Sequence, residues 1–361
     1  MEYEIFVNEL LKRKEKVYEY LSSSRFRELF RPNHIRDSVY SYMKQGGKSL
    51  RPAVLLFSCG AVGGDEEKAI PAAAAVEVFH TWTMVHDDII DKDDKRRGGP
   101  TVHEEFRERA ISELGYDEIE AQHYGISIAM LAGDMQQGWA VSILSELSNQ
   151  NGIDPRLVLY LIKDSEMRVQ STLIEGQVLD IQYPKRSIDS LHQEQILDML
   201  WKKTGALYEF AGKAGAMLGL NTSDPEHPLV KAISSFASKC GIAFQLQDDI
   251  LGVVGDESVL GKPVGSDIRE GKRTVILYHA FKNANSEQKK RIIKVFGNDH
   301  TSENDVKEAR KLMRELGSIE YTKELARKYV KESLVHLGKV PPSRYKDLLS
   351  LWAEFMIERE F

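Results

Sequence analysis

Cysteine is nearly absent: only Cys59 and Cys240 occur in 361 residues, in separate apolar contexts and without His or Cys at zinc-ligand spacing. A disulfide framework or structural metal is therefore not expected, and a reducing compartment is the simplest reading. Long apolar runs are missing too; none approaches the roughly 18 residues of a membrane-spanning helix, so no transmembrane segment is expected. The opening stretch MEYEIFVNELLKRKEKVYEYL is charged throughout and lacks the apolar centre of a signal peptide, which points to a cytoplasmic protein. There is no basic surplus: 49 Lys and Arg stand against 55 Asp and Glu, a net charge of −6. Proteins that read phosphate backbones carry an excess of positive charge, so nucleic acid is not an expected partner. Regularly alternating strands, repeats of solenoid period and low-complexity tracts are also absent.

What remains is helical periodicity. Phe6, Leu10, Leu11, Val17 and Leu21 recur at the spacing of an amphipathic helix over 3–21. The stretch 70–90, IPAAAAVEVFHTWTMVHDDII, has proline at its second position and alanines that allow close helix approach. Further helices are expected over 121–148, 155–182, 190–219, 227–254 and 272–284. Turn signals at 63–68, 96–101, 149–155 and 221–228 separate them, and none is long enough for a domain linker. The expectation is an all-α chain forming a single domain over 1–361. Residues 104–120 are charge-rich and read as a solvated loop or short helix, and 283–308 as surface structure.

Two acidic clusters break the apolar pattern. The first is His86-Asp87-Asp88-Ile89-Ile90-Asp91 with Asp93 and Asp94 beyond it. On a helix, Asp87 and Asp91 share a face, and so many adjacent carboxylates repel one another unless a cation intervenes. A solvated helix end is the ordinary meaning of one such run. The second cluster, Asp248-Asp249 inside the apolar FQLQDDIL, weakens that meaning, because paired charges in an apolar helix need a metal or a cationic partner. Two such clusters on separate helices would be able to clamp Mg²⁺, whose preferred ligands are carboxylate, phosphate and water oxygens. Basic motifs supply the complement: Lys48 and Arg51 in GGKSLRP, Arg96 and Arg97 in RRGGPT, Lys203-Thr204, Lys262 and Lys272. GKS here is not a P-loop, because GxxxxGK[ST] after a strand is absent.

These stretches together resemble the trans-isoprenyl diphosphate synthases, of the archaeal geranylgeranyl/farnesyl type. The matching segments are GGKSLRP (46–52), EVFHTWTMVHDDIID (77–91), RRGGPTVH (96–103), LAGD (131–134), EGQVLD (175–180), KKTGAL (202–207), FQLQDDILG (244–252) and GKPVGSDIREGKRT (261–274), in the family's order. The resemblance implies long, mostly antiparallel helices around a central cavity, in a homodimer. It implies Mg²⁺ bound by Asp87, Asp88 and Asp91 with Asp248 and Asp249 opposite. It assigns Arg96, Lys203, Gln245 and Lys262 to an allylic diphosphate, and Lys48, Arg51, His80 and Arg97 to isopentenyl diphosphate. Gln177 and Thr204 match positions lining the reaction centre, and Lys272 one near a lid. Two departures stand out. The usual third aspartate of the second motif is Gly252, with Asp256 four residues later, and the segment 104–125 is longer than the family pattern.

The implied activity is head-to-tail prenyl transfer to a short product, geranylgeranyl diphosphate first and farnesyl diphosphate second. A terpene cyclase shares the aspartate-assisted ionisation but needs no second diphosphate site. A non-catalytic partner subunit would be expected to have eroded aspartate motifs. His80 on an apolar helix would ordinarily be a core residue, yet it falls on a stripe with Met84, Asp87 and Asp91; His86 and His103 read as structural. Asp134 and Asp180 read as partners in buried hydrogen bonds rather than as metal ligands. Trp82 lies about 7.5 Å back along the helix from Asp87 and about 140° around it, a flank position compatible with plain core packing. The resemblance makes it the floor that stops chain elongation, with small Thr83 beside it and Phe79 or Ala75 next in line.

Overall fold

A computed structural model describes residues 2–150, 152–254, 266–298 and 301–358, the side chains of Glu2, Ser266 and Glu358 excepted. The expected helices form, and helix is the dominant structure. Among the described residues the only strands are Lys95–Arg96 and Gly99–Pro100, a two-stranded hairpin. No helix among them is long and apolar enough to cross a membrane. Both cysteines are free and buried.

The chain resolves into two compact units. The first comprises residues 1–164, 211–230 and 342–346; the second comprises 165–210, 231–341 and 347–361. Three of the five divisions fall inside the helices Ala206–Leu220, Pro228–Val254 and Arg344–Glu358, one in the turn Asp164–Val169, and one between 341 and 342, outside any helix.

In the first unit, the Ile70–Asp91 helix packs against Glu118–Ser145, Leu50–Ala61 and Glu2–Leu21. Its opening alanines, Ala72 to Ala75, are all buried, so small side chains allow helix axes to approach on every side. Pro71 suits its first turn, where no backbone partner is needed. The Glu118–Ser145 helix starts on a reciprocal cap between Asp117 and Glu120.

The segment read as a solvated loop or short helix is the 13-residue helix Val102–Leu114, packed along Glu118–Ser145. Val102, Phe106 and Ala110 recur every four residues and are buried, an apolar stripe masked in the sequence by Arg and Glu on the opposite face. Arg107 pairs with Glu104 and Arg109 with Glu113 on that outer face.

The second unit has its own core, built from Leu200, Leu246, Ile250, Val275, Phe281 and Met313. Two of the long helical stretches are interrupted by π-helical turns, at Asp164–Val169 and Trp201–Gly205. Such turns insert a residue into the hydrogen-bond ladder and often re-aim side chains at functional positions. The Trp201–Gly205 turn packs against the Gln170–Gln182 helix at Gly176. A Cβ at Gly176 would stand 2.7 Å from the Lys202 carbonyl carbon, so nothing larger than hydrogen fits.

Because the obstacle at Gly176 is backbone, it cannot swing aside. Gly176→Ala is expected to destabilise the protein by about 1–3 kcal/mol through overpacking, read by chemical denaturation. An unchanged midpoint would mean the two segments are not held at this separation.

Candidate active site

The Ile70–Asp91 helix ends at Lys92, whose φ of 58° turns the chain out of the helix. The hairpin follows at once. Its two loop residues, Arg97 and Gly98, both have positive φ, 53° and 80°, as tight primed turns require. Arg97 is a side-chain-bearing residue in this region, a strain tolerated where the surroundings fix it. The hairpin thereby delivers two consecutive arginines to the last turns of the helix.

Arg96 turns to Asp88. Its Nε lies 2.6 and 2.7 Å from the two Asp88 oxygens, and Nη2 also donates to Oδ1. Asp87 and Asp93 stand farther off, at 3.9 and 3.7 Å. Asp88 is fully buried, and the Tyr42 hydroxyl donates to its Oδ2 while accepting the Val102 N–H at 3.3 Å. Burial and the neighbouring Asp88 charge push the Tyr42 phenol well up, so it stays a donor. Burial acts to lower Arg96, but attraction to Asp88 outweighs it and the guanidinium is held more firmly charged. Asp88 was expected among the metal ligands; here its oxygens are engaged by Arg96 and Tyr42, contacts that tie the hairpin to the helix. Asp87 and Asp91 remain partly exposed on the same helix.

A second cationic group gathers around His80. Arg51 Nη1 donates to His80 Nε2 at 3.0 Å. Burial, then the charges of Arg51, Arg97 and Arg96, hold the imidazole well below its usual range, against the pull of Asp87. His80 is thus a neutral acceptor among arginines, not packing for the core. Arg97 donates to the Gly46 carbonyl, with the Tyr42 carbonyl at 3.4 Å and the Met84 sulfur at 3.7 Å. Lys48 is exposed on the same Gly46–Gly47 turn.

In the second unit, the buried Asp180 receives Lys203 Nζ at 2.6 Å and has Lys272 Nζ at 3.6 Å. Lys272 also meets Glu270 at 3.1 Å. Thr204 Oγ1 donates to Gln245 Oε1 at 2.8 Å, and Gln245 Nε2 donates to Asp249 Oδ1 at 3.1 Å. Asp249 Oδ2 is buried without a hydrogen-bond partner. Burial pushes the Asp249 carboxyl well up, and the charges of Asp267, Asp248 and Asp180 add to this against the Gln245 hydrogen bond. The missing third aspartate has a spatial counterpart: an Asp267 oxygen stands 2.8 Å from where a Cβ at Gly252 would lie. A crowded set of oxygen donors with an unsatisfied member suits a hard divalent cation such as Mg²⁺. Among the described residues, no three acidic, His or Cys side chains enclose a metal by themselves.

Several expectations find other outcomes. Lys262 and Asp256 lie outside the described residues. Gln177 is half-exposed on the Gln170–Gln182 helix that also carries Asp180. Asp134 is exposed, so it does not serve a buried hydrogen bond; Asp180 does, through its lysines. His86 and His103 are packing residues, against Gly133 and beside Thr101. Trp82 is buried and meets Phe79 edge-on at 5.0 Å, so the two aromatics considered for a floor form one block. Thr83 turns its hydroxyl back to the His80 carbonyl at 2.8 Å. Sequence pattern alone does not single out Tyr42, Ser49, Glu77 or Asp267. Extending the His80–Met84–Asp87–Asp91 stripe one turn backwards would have reached Glu77.

Comparison with known proteins shows the family and the fold. Residues 32–313 match the polyprenyl synthetase family. A geranylgeranyl diphosphate synthase of Sulfolobus acidocaldarius is 36% identical over 330 residues, covering 90% of each chain. The crystal structure of geranylgeranyl pyrophosphate synthetase from Pyrococcus horikoshii superposes with a TM-score of 0.82 at 34% identity, over 99% of this chain and 100% of that one. A geranylgeranyl pyrophosphate synthase of Corynebacterium glutamicum, complexed with isoprenyl diphosphate and magnesium, gives a TM-score of 0.79 at 29% identity, over 99% and 98%.

The Tyr42 hydroxyl is a neutral partner of the buried Asp88–Arg96 pair. Tyr42→Phe keeps the ring and removes that partner, leaving the Val102 N–H without its acceptor. We expect a loss of about 1–3 kcal/mol, read by thermal or urea unfolding. A loss indistinguishable from zero would mean the hydroxyl does not support the pair.

Proposed function

The chain belongs to the polyprenyl synthetase family, and on that premise we propose that it joins isopentenyl diphosphate to an allylic diphosphate. The reaction is short-chain prenyl transfer, with geranylgeranyl diphosphate as the main product. The observation that carries this reading is that two sets of cationic side chains gather along one helix. Arg96 is bound to Asp88, and Arg51 and Arg97 surround neutral His80. Two anion sites fit two diphosphate substrates. A terpene cyclase would have no use for the second. A non-catalytic subunit would have no use for exposed Asp87 and Asp91 or for a buried, partnerless Asp249 oxygen.

Asp87, Asp88, Asp91 and Asp248 are the proposed Mg²⁺ ligands. Held by these residues, Mg²⁺ would supply charge stabilisation for a departing diphosphate. Arg96, Lys203 and Lys272 hold the allylic diphosphate and neutralise charge as its C–O bond ionises. Lys48, Arg51 and Arg97 hold the diphosphate of isopentenyl diphosphate, with neutral His80 orienting Arg51. Phe79 and Trp82 offer an apolar wall that keeps water from the allylic cation. The alkene attacks that cation, forming the new C–C bond, and a proton leaves the adjacent carbon. The released diphosphate is its acceptor in this scheme.

The chain is further proposed to act as one domain, in the cytoplasm, as a homodimer. Exposed Met130, Leu131 and Met135 on one helix give a second copy an apolar surface to cover.

Incubation with Mg²⁺, isopentenyl diphosphate and each allylic primer in turn, followed by product-length analysis, tests the reading. Condensation that is abolished by EDTA is expected; turnover unaffected by EDTA, or none with any primer, would sink it. Trp82→Ala opens space in the proposed floor, so the product distribution should shift to longer chains. Unchanged length in an active variant would put the floor elsewhere, with Phe79 first in line.

A further inference from the structure

Glu77 is a buried carboxylate, 4% exposed, one turn before His80 on the Ile70–Asp91 helix. Its Oε1 accepts the Ser49 hydroxyl at 2.9 Å and the Tyr18 hydroxyl at 3.2 Å. Its Oε2 is buried with no hydrogen-bond partner. Burying a carboxylate is costly, and one left half-satisfied is retained where a nearby positive charge or a function compensates.

Two walls of the isopentenyl diphosphate site lead back to it. The first is the 46–51 turn. Ser49 sits at the N-cap of the Leu50–Ala61 helix, with φ of 47°, but makes no capping hydrogen bond. A serine in that position ordinarily bonds the backbone of the first turn. Here its hydroxyl is directed to Glu77 instead, which fixes a left-handed residue between Lys48 and Arg51. The second wall is Arg97. Burial lowers its guanidinium, and Glu77 is the strongest attraction opposing that loss. The guanidinium is pressed so close to the turn that a Cβ at Gly47 would stand 2.6 Å from its Nη1.

We infer that Glu77 is a positioning residue for the isopentenyl diphosphate site, locking the Lys48–Arg51 turn through Ser49 and countering the charge of Arg97. It touches no substrate. Its negative charge attracts Arg97, and its hydrogen bond to Ser49 holds the turn that carries Lys48 and Arg51. The inference rests on assigning Lys48, Arg51 and Arg97 to isopentenyl diphosphate.

The test is a set of full kinetic profiles for the wild type, Glu77→Gln, Ser49→Ala and Arg51→Ala, with each diphosphate varied in turn. Glu77→Gln keeps shape and an acceptor oxygen but removes the charge; Ser49→Ala removes one hydrogen bond and leaves the carboxylate. Both should raise KM for isopentenyl diphosphate, Glu77→Gln by about tenfold, with KM for the allylic substrate and kcat nearly unchanged. A general loss of structure would move all three parameters together and would overturn the inference. So would an unaltered KM in both variants while Arg51→Ala raises it. If Arg51→Ala itself leaves that KM unchanged, the site assignment fails, and the inference falls with it. Should Glu77→Gln fold poorly, the Ser49→Ala profile decides.

Discussion

A carboxylate taken fully out of water must have a cation brought to it, and Asp88 imposes that demand at the end of the longest stripe of functional residues. Arg96 answers it from the hairpin, gripping both oxygens, with Tyr42 adding a third contact. Removing one member of such a pair costs about 3–5 kcal/mol, because the survivor is left charged and buried. The pair therefore fixes where the hairpin lies against the helix. Arg97 follows without freedom of its own, since it occupies the loop of that same hairpin. The strain of its left-handed backbone is tolerable only because residue 96 is tied down first.

A related device recurs at several of the cations assigned to a substrate. Asp180 keeps Lys203 and Lys272, Glu77 attends Arg97, and His80 accepts from Arg51. Long basic side chains lose considerable rotamer freedom when a ligand orders them. Holding them beforehand moves that cost from the binding step to folding, which is how a preorganised site gains over a flexible one. The chain's net charge of −6 is no obstacle to anionic substrates, because the field that matters is set locally by these pairs.

Helices were legible because period and punctuation coincide: Pro71, the 149–155 turn and the 221–228 turn mark ends that side-chain spacing already implies. The Val102–Leu114 helix was obscured because its stripe is narrow and charge dominates its count. Acidic and basic motifs were legible as chemistry, but not which carboxylate faces which cation. Asp88 reads in sequence like its neighbours Asp87 and Asp91; its full burial against Arg96 and Tyr42 is visible only in the structure. Gly252 shows how sequence and space differ. Sequence proximity directs attention to Asp256, which lies outside the described residues, while an Asp267 oxygen stands in the volume in front of Gly252. A motif specifies positions along a chain, and the site is filled in space.

These keeper pairs also dictate how substitutions should combine. A cation and its carboxylate share one interaction, so effects of removing each should not add; the second removal relieves the charge that the first left exposed. Residues attached to different keepers have no such coupling, unless a backbone segment joins them. Arg96 and Arg97 are the exception built into this fold: adjacent in the hairpin, they answer to different carboxylates, Asp88 and Glu77. Loosening Asp88 frees the strand, and the strand carries Arg97 away from Gly46 and His80. The two proposed diphosphate sites would thus be mechanically connected through two consecutive residues, although each has its own charges and its own hydrogen bonds.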